Sequence, residues 1–235
     1  MATTVEIAIT TGIGADNQMQ STAGTSNKGT DTSFSLITTQ RRATIRFDLS
    51  GIPSGQVCTA ATLKLYWRDT NGVDDTISLY KITDANGNWV EGTSATPAAS
   101  GDPCWNAKKA DGSGGVTTAW AGSAGLSTAG TDFVNTVIAS AVTPSTVSNY
   151  ALFEIPFNAA GLLVLTGWFT QATNNGILMV RTDGTTTPNF RSKEDATAGY
   201  RPVLSVTYED APPGGTEVLI ANILASEILN SRIVR

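Results

Sequence analysis

From Val5 to Tyr208 apolar side chains recur at alternate positions, and this period of two constrains the fold more than any other feature of the chain. Val5, Ile7 and Ile9 open the series. Ile45, Phe47 and Leu49 continue it, then Leu63, Leu65 and Trp67, Ile77 and Leu79, and Phe153, Ile155 and Phe157. A last segment offers two rows, Val203, Ser205 and Thr207 or Leu204, Val206 and Tyr208. Strand side chains point alternately to opposite faces, so each segment can set one face on a core and leave the other in solvent. Turn dipeptides bound the segments: Asn71-Gly72, Asn86-Gly87, Asp111-Gly112, Asn175-Gly176 and Asp183-Gly184. Many short strands with Gly-rich turns predict an all-β, antiparallel jelly-roll β-sandwich. Residues 84–129 read as a long loop region with short strands, and residues 158–171 as a short helix or turn under one end of the sandwich.

The alternation ends at Ala211-Pro212-Pro213-Gly214-Gly215, which reads as a hinge. Beyond it come Val218, Leu219, Ile220, Ile223, Leu224, Ile228, Leu229, Ile233 and Val234. The expected organisation is a sandwich over residues 1–210 and a hinge with an apolar docking tail over 211–235. Ile220, Ile223, Leu224 and Ile228 fit one helical face, while Val218 with Ile220 fits a strand equally well. A finished sandwich has no need of this apolar surface. The expected cover is another protein of an assembly or a second copy of the chain, with packing on the parent sandwich as the alternative.

Composition narrows the partners. Only 15% of the 235 residues are charged, the net charge is −5, and Lys and Arg are scattered apart from Arg41-Arg42 with Arg46. A nucleic-acid or anionic-membrane surface needs a basic face, so neither partner is expected. No export signal, glycosylation sequon or membrane-length apolar run is visible. A polar but weakly charged surface on such a chain fits a virion protein, or alternatively a module of a larger extracellular protein. Cys58 and Cys104 are too few for a thiolate metal site; they either pair or stay separate.

The chain has no histidine, which removes His-based nucleophile systems, His-assisted proton transfer and His-ligated zinc. Ala121-Gly-Ser-Ala-Gly125 has the spacing of a nucleophile elbow but no base to serve it, so it reads as a loop. Asp74-Asp75 and Glu194-Asp195 are adjacent pairs that a strand would point to opposite faces. No enzymatic activity is expected. Three of the five tryptophans, Trp89, Trp105 and Trp120, fall in the long loop region and are candidate glycan contacts, against the alternative of packing; Trp67 and Trp168 read as core. No cofactor is expected beyond a structural calcium, with Asp16, Asp31, Asp74 and Asp75 as candidate ligands. Arg46, Asp48, Glu91, Glu194 and Arg201 are expected in salt bridges tying strands to turns.

An ordered set of segments carries a resemblance. It comprises Asp16 with Asn27-Lys-Gly29, Arg42-Ala-Thr-Ile-Arg-Phe-Asp-Leu-Ser50 with Ile52-Pro53, and Ala60-Ala-Thr-Leu-Lys-Leu-Tyr66. Asn88-Trp-Val-Glu-Gly92, Cys104-Trp-Asn106, Asn174-Asn-Gly-Ile-Leu178, Phe190-Arg-Ser-Lys-Glu194 and Arg201-Pro-Val-Leu204 through Val206-Thr-Tyr208 follow. Over residues 3–209 this set resembles the DNRLRE-domain family, a jelly-roll group similar to carbohydrate-binding modules. Cys104 stands where a Thr is common, and the Ser/Thr/Ala-rich stretch near residues 122–146 is an insertion. The resemblance implies a non-catalytic sandwich used for surface display or polysaccharide binding. The leading expectation is therefore a structural or decoration protein of a viral particle, in particular a phage, docked through its tail. The alternative is a carbohydrate-binding module; a glycan-cleaving enzyme is the third reading.

Overall fold

The computed structural model describes residues 1–9, 14–69, 74–169, 174–184 and 186–211. In chain order the strands are β1 (Thr3–Ala8), β2 (Ala15–Gln20), β3 (Ser33–Ser35), β4 (Arg41–Arg46), β5 (Gln56–Tyr66) and β6 (Thr76–Ile82). Then come β7 (Lys109–Ala110), β8 (Val116–Thr118), β9 (Phe133–Val142), β10 (Leu152–Pro156), the helix α1 (Ala159–Trp168), β11 (Ile177–Arg181), β12 (Asn189–Arg191) and β13 (Val203–Asp210). One sheet has the order β1-β13-β5-β10 and the facing sheet β2-β4-β11-β6-β9, and the pairings within both are antiparallel. The last strand lies between the first and the fifth, and the chain passes repeatedly between the two sheets, while the longest connection, from β6 to β9, returns to the sheet it left. That is the jelly-roll order, and the fold is an all-β sandwich.

The core is built by the alternating rows. Leu63, Leu65 and Trp67 are fully buried, as are Ile45, Ile77 and Leu79 opposite them. Of the two rows in the last strand, Leu204 and Val206 face inward. Trp67, Phe153 and Phe190 form an aromatic nucleus, with Trp67 and Phe190 centroids 4.7 Å apart and Phe153 stacked on Phe190 at 5.6 Å. The anticipated helix runs over Ala159–Trp168. Asn158 caps it by accepting from the Gly161 amide, and Gly161 sits where a Cβ would lie 2.2 Å from the Ile138 carbonyl. Among the described residues no helix is long and apolar enough to cross a membrane.

Two parts of the fold depart from the alternation. β2 reads Ala-Asp-Asn-Gln-Met-Gln, yet its first five residues are buried, because loop segments cover its outer face. Its polar side chains bond across to β3 and to a loop: the Gln18 Oε1 accepts from the Ser35 amide, and the Asn17 Nδ2 donates to the Glu91 carbonyl. The Ser/Thr/Ala-rich stretch holds the ten-residue edge strand β9, whose outward residues are exposed. Cys58 and Cys104 are both free and buried, in different clusters. Burial pushes the Cys58 thiol up to about 12.

Candidate functional site

The loop region forms a second core on the outer face of the β2-containing sheet. Trp89, Trp120, Leu126, Phe133 and Leu178 cluster there. Trp89 is 1% exposed and donates its indole N–H to the Asn175 carbonyl at 2.7 Å. Trp120 is 4% exposed and donates to the Cys104 carbonyl at 2.9 Å. Trp105 is partly buried, with Gly125 so close to its ring that a Cβ there would meet it at 2.6 Å. The three tryptophans therefore do not form an exposed sugar platform; they hold the loops on the sheet. Ala121-Gly-Ser-Ala-Gly125 is a loop wrapped on the buried Asp132 carboxylate, which accepts from the Gly122, Ser123 and Thr128 amides and the Asn86 Nδ2. Asn27 plays the same part nearby. Its Nδ2 donates to the Glu91 and Pro103 carbonyls and its Oδ1 accepts from the Gly29 and Ser94 amides, so every polar atom of the side chain is used.

The four aspartates proposed for calcium do not converge. Asp31 pairs with Lys28 at 3.4 Å, Asp75 is buried against Arg181 at 3.3 Å, and Asp74 is exposed. Asp16 instead joins Glu91 and Glu194, two residues not among the expected calcium ligands, with oxygens within 4.8 Å of one another. The cation at this cluster is the chain's own: the buried Lys193 ammonium bonds Glu91 and lies 3.7 Å from Glu194. A calcium ion would have to sit against that ammonium, so these residues do not fit it. Asp16 also accepts from the Lys193 amide at 2.9 Å, and its own amide donates to Glu91. Burial holds the Asp16 carboxyl well above the usual carboxylate range, and the charges of Glu194 and Glu91 add to the rise. Glu194 is raised in the same way, by burial and then by Glu91. Of the other charged positions, Arg46 lies 5.0 Å over the Trp89 ring, Arg201 donates to the Asp195 carbonyl and Asp48 accepts from the Ser50 amide. The Glu194-Asp195 pair separates as adjacent residues should, with Asp195 bonded to Arg191.

Arg191 and Asp195 belong to the arrangement best suited to a ligand. An open groove of about 450 Å³ is lined by Thr32, Arg68, Asn149, Tyr150, Arg191 and Thr197, among others. Arg191 is its floor. The guanidinium bonds the Asp195 carboxylate and donates to the Asn149 Oδ1 at 3.0 Å. It also lies 3.8 Å from the centre of the Tyr150 ring. Tyr200 packs on Tyr150 at 4.5 Å and on Tyr66 at 5.4 Å. Tyr66 faces outward because it alternates with the buried Leu65 and Trp67, and its cross-strand partner Leu152 is 47% exposed. Tyr150 has φ +70° and remains 43% exposed. That backbone is costly for a bulky residue, on the order of 1–3 kcal/mol. Two hydrogen bonds hold it: the Tyr150 amide donates to the Trp67 carbonyl and the Trp67 amide to the Ala151 carbonyl. Arg68 projects into the groove exposed, with no side-chain partner among the described residues.

Sequence reasoning searched the tryptophans and passed over the tyrosines. Tyr66 was legible as an outward strand residue; Tyr150 and Arg191 meet only through long-range folding. The docking-tail residues Val218, Leu219, Ile220, Ile223, Leu224, Ile228, Leu229, Ile233 and Val234 lie outside the described residues, as do Pro212-Pro213-Gly214-Gly215. No protein-family model matches the chain, and no curated protein matches it in sequence.

Proposed function

We propose that this chain is a non-enzymatic recognition module that holds a saccharide in the groove beside Tyr150. The observation that carries the reading is Tyr150 itself. An aromatic residue is kept at φ +70° with its ring on Arg191 and 43% of it in solvent. Aromatic faces stack on the apolar faces of sugar rings, and Arg68, Asn149, Thr32 and Thr197 supply side-chain polar groups around them for hydroxyls. The groove is open and shallow, suited to a chain passing across it. The test is retention of the full chain on a panel of immobilised neutral and acidic polysaccharides, repeated with Tyr150→Ala. Loss of one stacked ring is worth about 1 kcal/mol, a five- to tenfold weakening. If the wild-type chain is retained by no polysaccharide, or Tyr150→Ala binds as tightly as wild type, the reading is wrong.

A structural or decoration role on a viral particle, a phage in particular, is the second reading. The apolar series from Val218 to Val234 favours it, since burial of that surface on another virion protein would anchor the sandwich and leave the Tyr150 groove displayed. Light scattering on the full chain tests it: a strictly monomeric, fully soluble chain at high concentration would count against a docking tail.

A further inference from the structure

The basic pair Arg41-Arg42 has no part in the groove at Tyr150, and folding brings Arg181 beside it. β4 and β11 pair from Ile45 with Ile177 to Ala43 with Met179, and the ladder stops there. Continued by one and two residues, the same register would set Arg42 opposite Val180 and Arg41 opposite Arg181. Like charges directly opposite on neighbouring strands repel, which opposes pairing beyond Ala43. At the open ends of the two strands lies a pocket of about 150 Å³, bounded by the three arginines and by Thr38 and Thr39 of the turn before β4. Val180 and the Tyr80–Phe133 pair, with ring centroids 4.8 Å apart, form its apolar side. No carboxylate lines it among the described residues.

We propose that this pocket binds one small tetrahedral oxyanion, phosphate or sulfate, either free or as the end group of a larger ligand. Each guanidinium is held in place through one nitrogen. The Arg41 Nη1 donates to the Ser35 Oγ at 2.9 Å, the Arg42 Nη1 to the Leu126 carbonyl at 2.6 Å and the Arg181 Nε to the Thr38 Oγ1 at 3.0 Å. The second Nη of Arg41 and of Arg42 has no protein partner among the described residues, and such forks match the oxygens of phosphate and sulfate two at a time. Three carboxylates lie within electrostatic reach, and none cancels the site. Asp75 pairs with Arg181 alone, at 3.3 Å. Asp183 spends its oxygens on the Thr76 amide and hydroxyl. Asp132 acts on Arg42, but its oxygens already accept from Asn86 and the Gly122, Ser123 and Thr128 amides. None of the ion pairs among the described residues involves Arg41 or Arg42. Burial pulls the Arg42 guanidinium down from its ordinary value, the mark of a poorly solvated cation beside which an anion gains most. Thr39 holds φ +64°, a left-handed backbone that a β-branched residue adopts only at a cost, and strain of this kind collects at ligand clamps. Three cations around one small cavity hold a single anion; the scattered charge elsewhere gives no track for a polyanion. The pocket shares no lining residue with the Tyr150 groove, so the inference stands apart from the saccharide reading.

Amide NMR of the full chain tests it, with sodium phosphate, sodium sulfate and methyl phosphate titrated against sodium chloride at matched ionic strength. Saturable shifts over residues 37–42 and 180–182 are expected in phosphate or sulfate, and none in chloride. The Arg41→Gln/Arg42→Gln variant is expected to bind at least about tenfold more weakly, because hydrogen bonds from charged donors are lost. Arg41→Lys keeps the charge and loses the fork, so it is expected to bind severalfold more weakly, and it serves as the milder variant should the double one not fold. Equal binding of methyl phosphate assigns the pocket to the end group of a larger ligand, and binding of the inorganic anions alone assigns it to a free ion; both uphold the proposal. Wild-type shifts that do not saturate or that match those in chloride overturn it, as does binding of undiminished strength in either variant.

Discussion

Lys193 is surrounded by Asp16, Glu91 and Glu194, which makes this position sensitive to both charge and pH. Lys193 is 7% exposed, and replacing it with Met leaves three clustered carboxylates with no cation. Such an uncompensated buried charge costs about 3–5 kcal/mol, readable as a fall in the urea midpoint. For Asp16 the sign follows from its raised folded-state pKa. The unfolded carboxyl ionises first as pH rises, so folding loses stability from about pH 4 upward until the folded carboxyl also ionises. Asp16→Asn keeps an oxygen to accept from the Lys193 amide and cannot ionise. It is expected to be more stable than wild type at pH 8, with the difference vanishing below about pH 4. A variant equally destabilised at both pH values would show that Asp16 contributes shape rather than charge.

Among the elements, the loop region over residues 84–132 has one short strand pair, β7 with β8, and is otherwise held by its buried tryptophans and by single polar side chains. Asp132 carries it, so Asp132→Ala should strip the partners from three amides, costing about 3 kcal/mol or more, and expose Trp120 to quenchers of indole fluorescence. Quenching unchanged from wild type would mean that the tryptophans hold the loop without it. α1 depends on its cap more modestly, and Asn158→Ala should cost about 1 kcal/mol by thermal melting. The contrast explains what the sequence disclosed. Strands whose inner face is apolar, such as β5 with Leu63 and Leu65, were visible through their period. β2 was not, because its burial is bought with hydrogen bonds from Asn17 and Gln18, and a polar residue in a covered strand looks like one in a loop. The same limit hid the site: in sequence Trp89 and Trp120 fit stacking on a ligand or packing, and only the fold closes loops over them, while Asp31 and Asp75 carry no sign of their Lys28 and Arg181 partners.

For the whole molecule, the two sheets meet on the Trp67–Phe153–Phe190 nucleus, which ties them together. Trp67→Ala should cost about 3–5 kcal/mol. The melting temperature of the full chain should stay the same in chelator and in millimolar calcium; a rise with calcium would place an ion among Asp16, Glu91 and Glu194 in competition with Lys193. The jelly roll thus presents an aromatic and arginine-lined groove at Tyr150 and, among its outermost strands, a half-exposed β1. The most direct test of recognition at that groove is a titration of a retained oligosaccharide into isotope-labelled full chain, followed by amide NMR. Shifts are expected to concentrate at Asn149, Tyr150, Arg191 and Thr197, with those of Trp105 and Trp120 unmoved; shifts centred on the tryptophan loops instead would contradict the account.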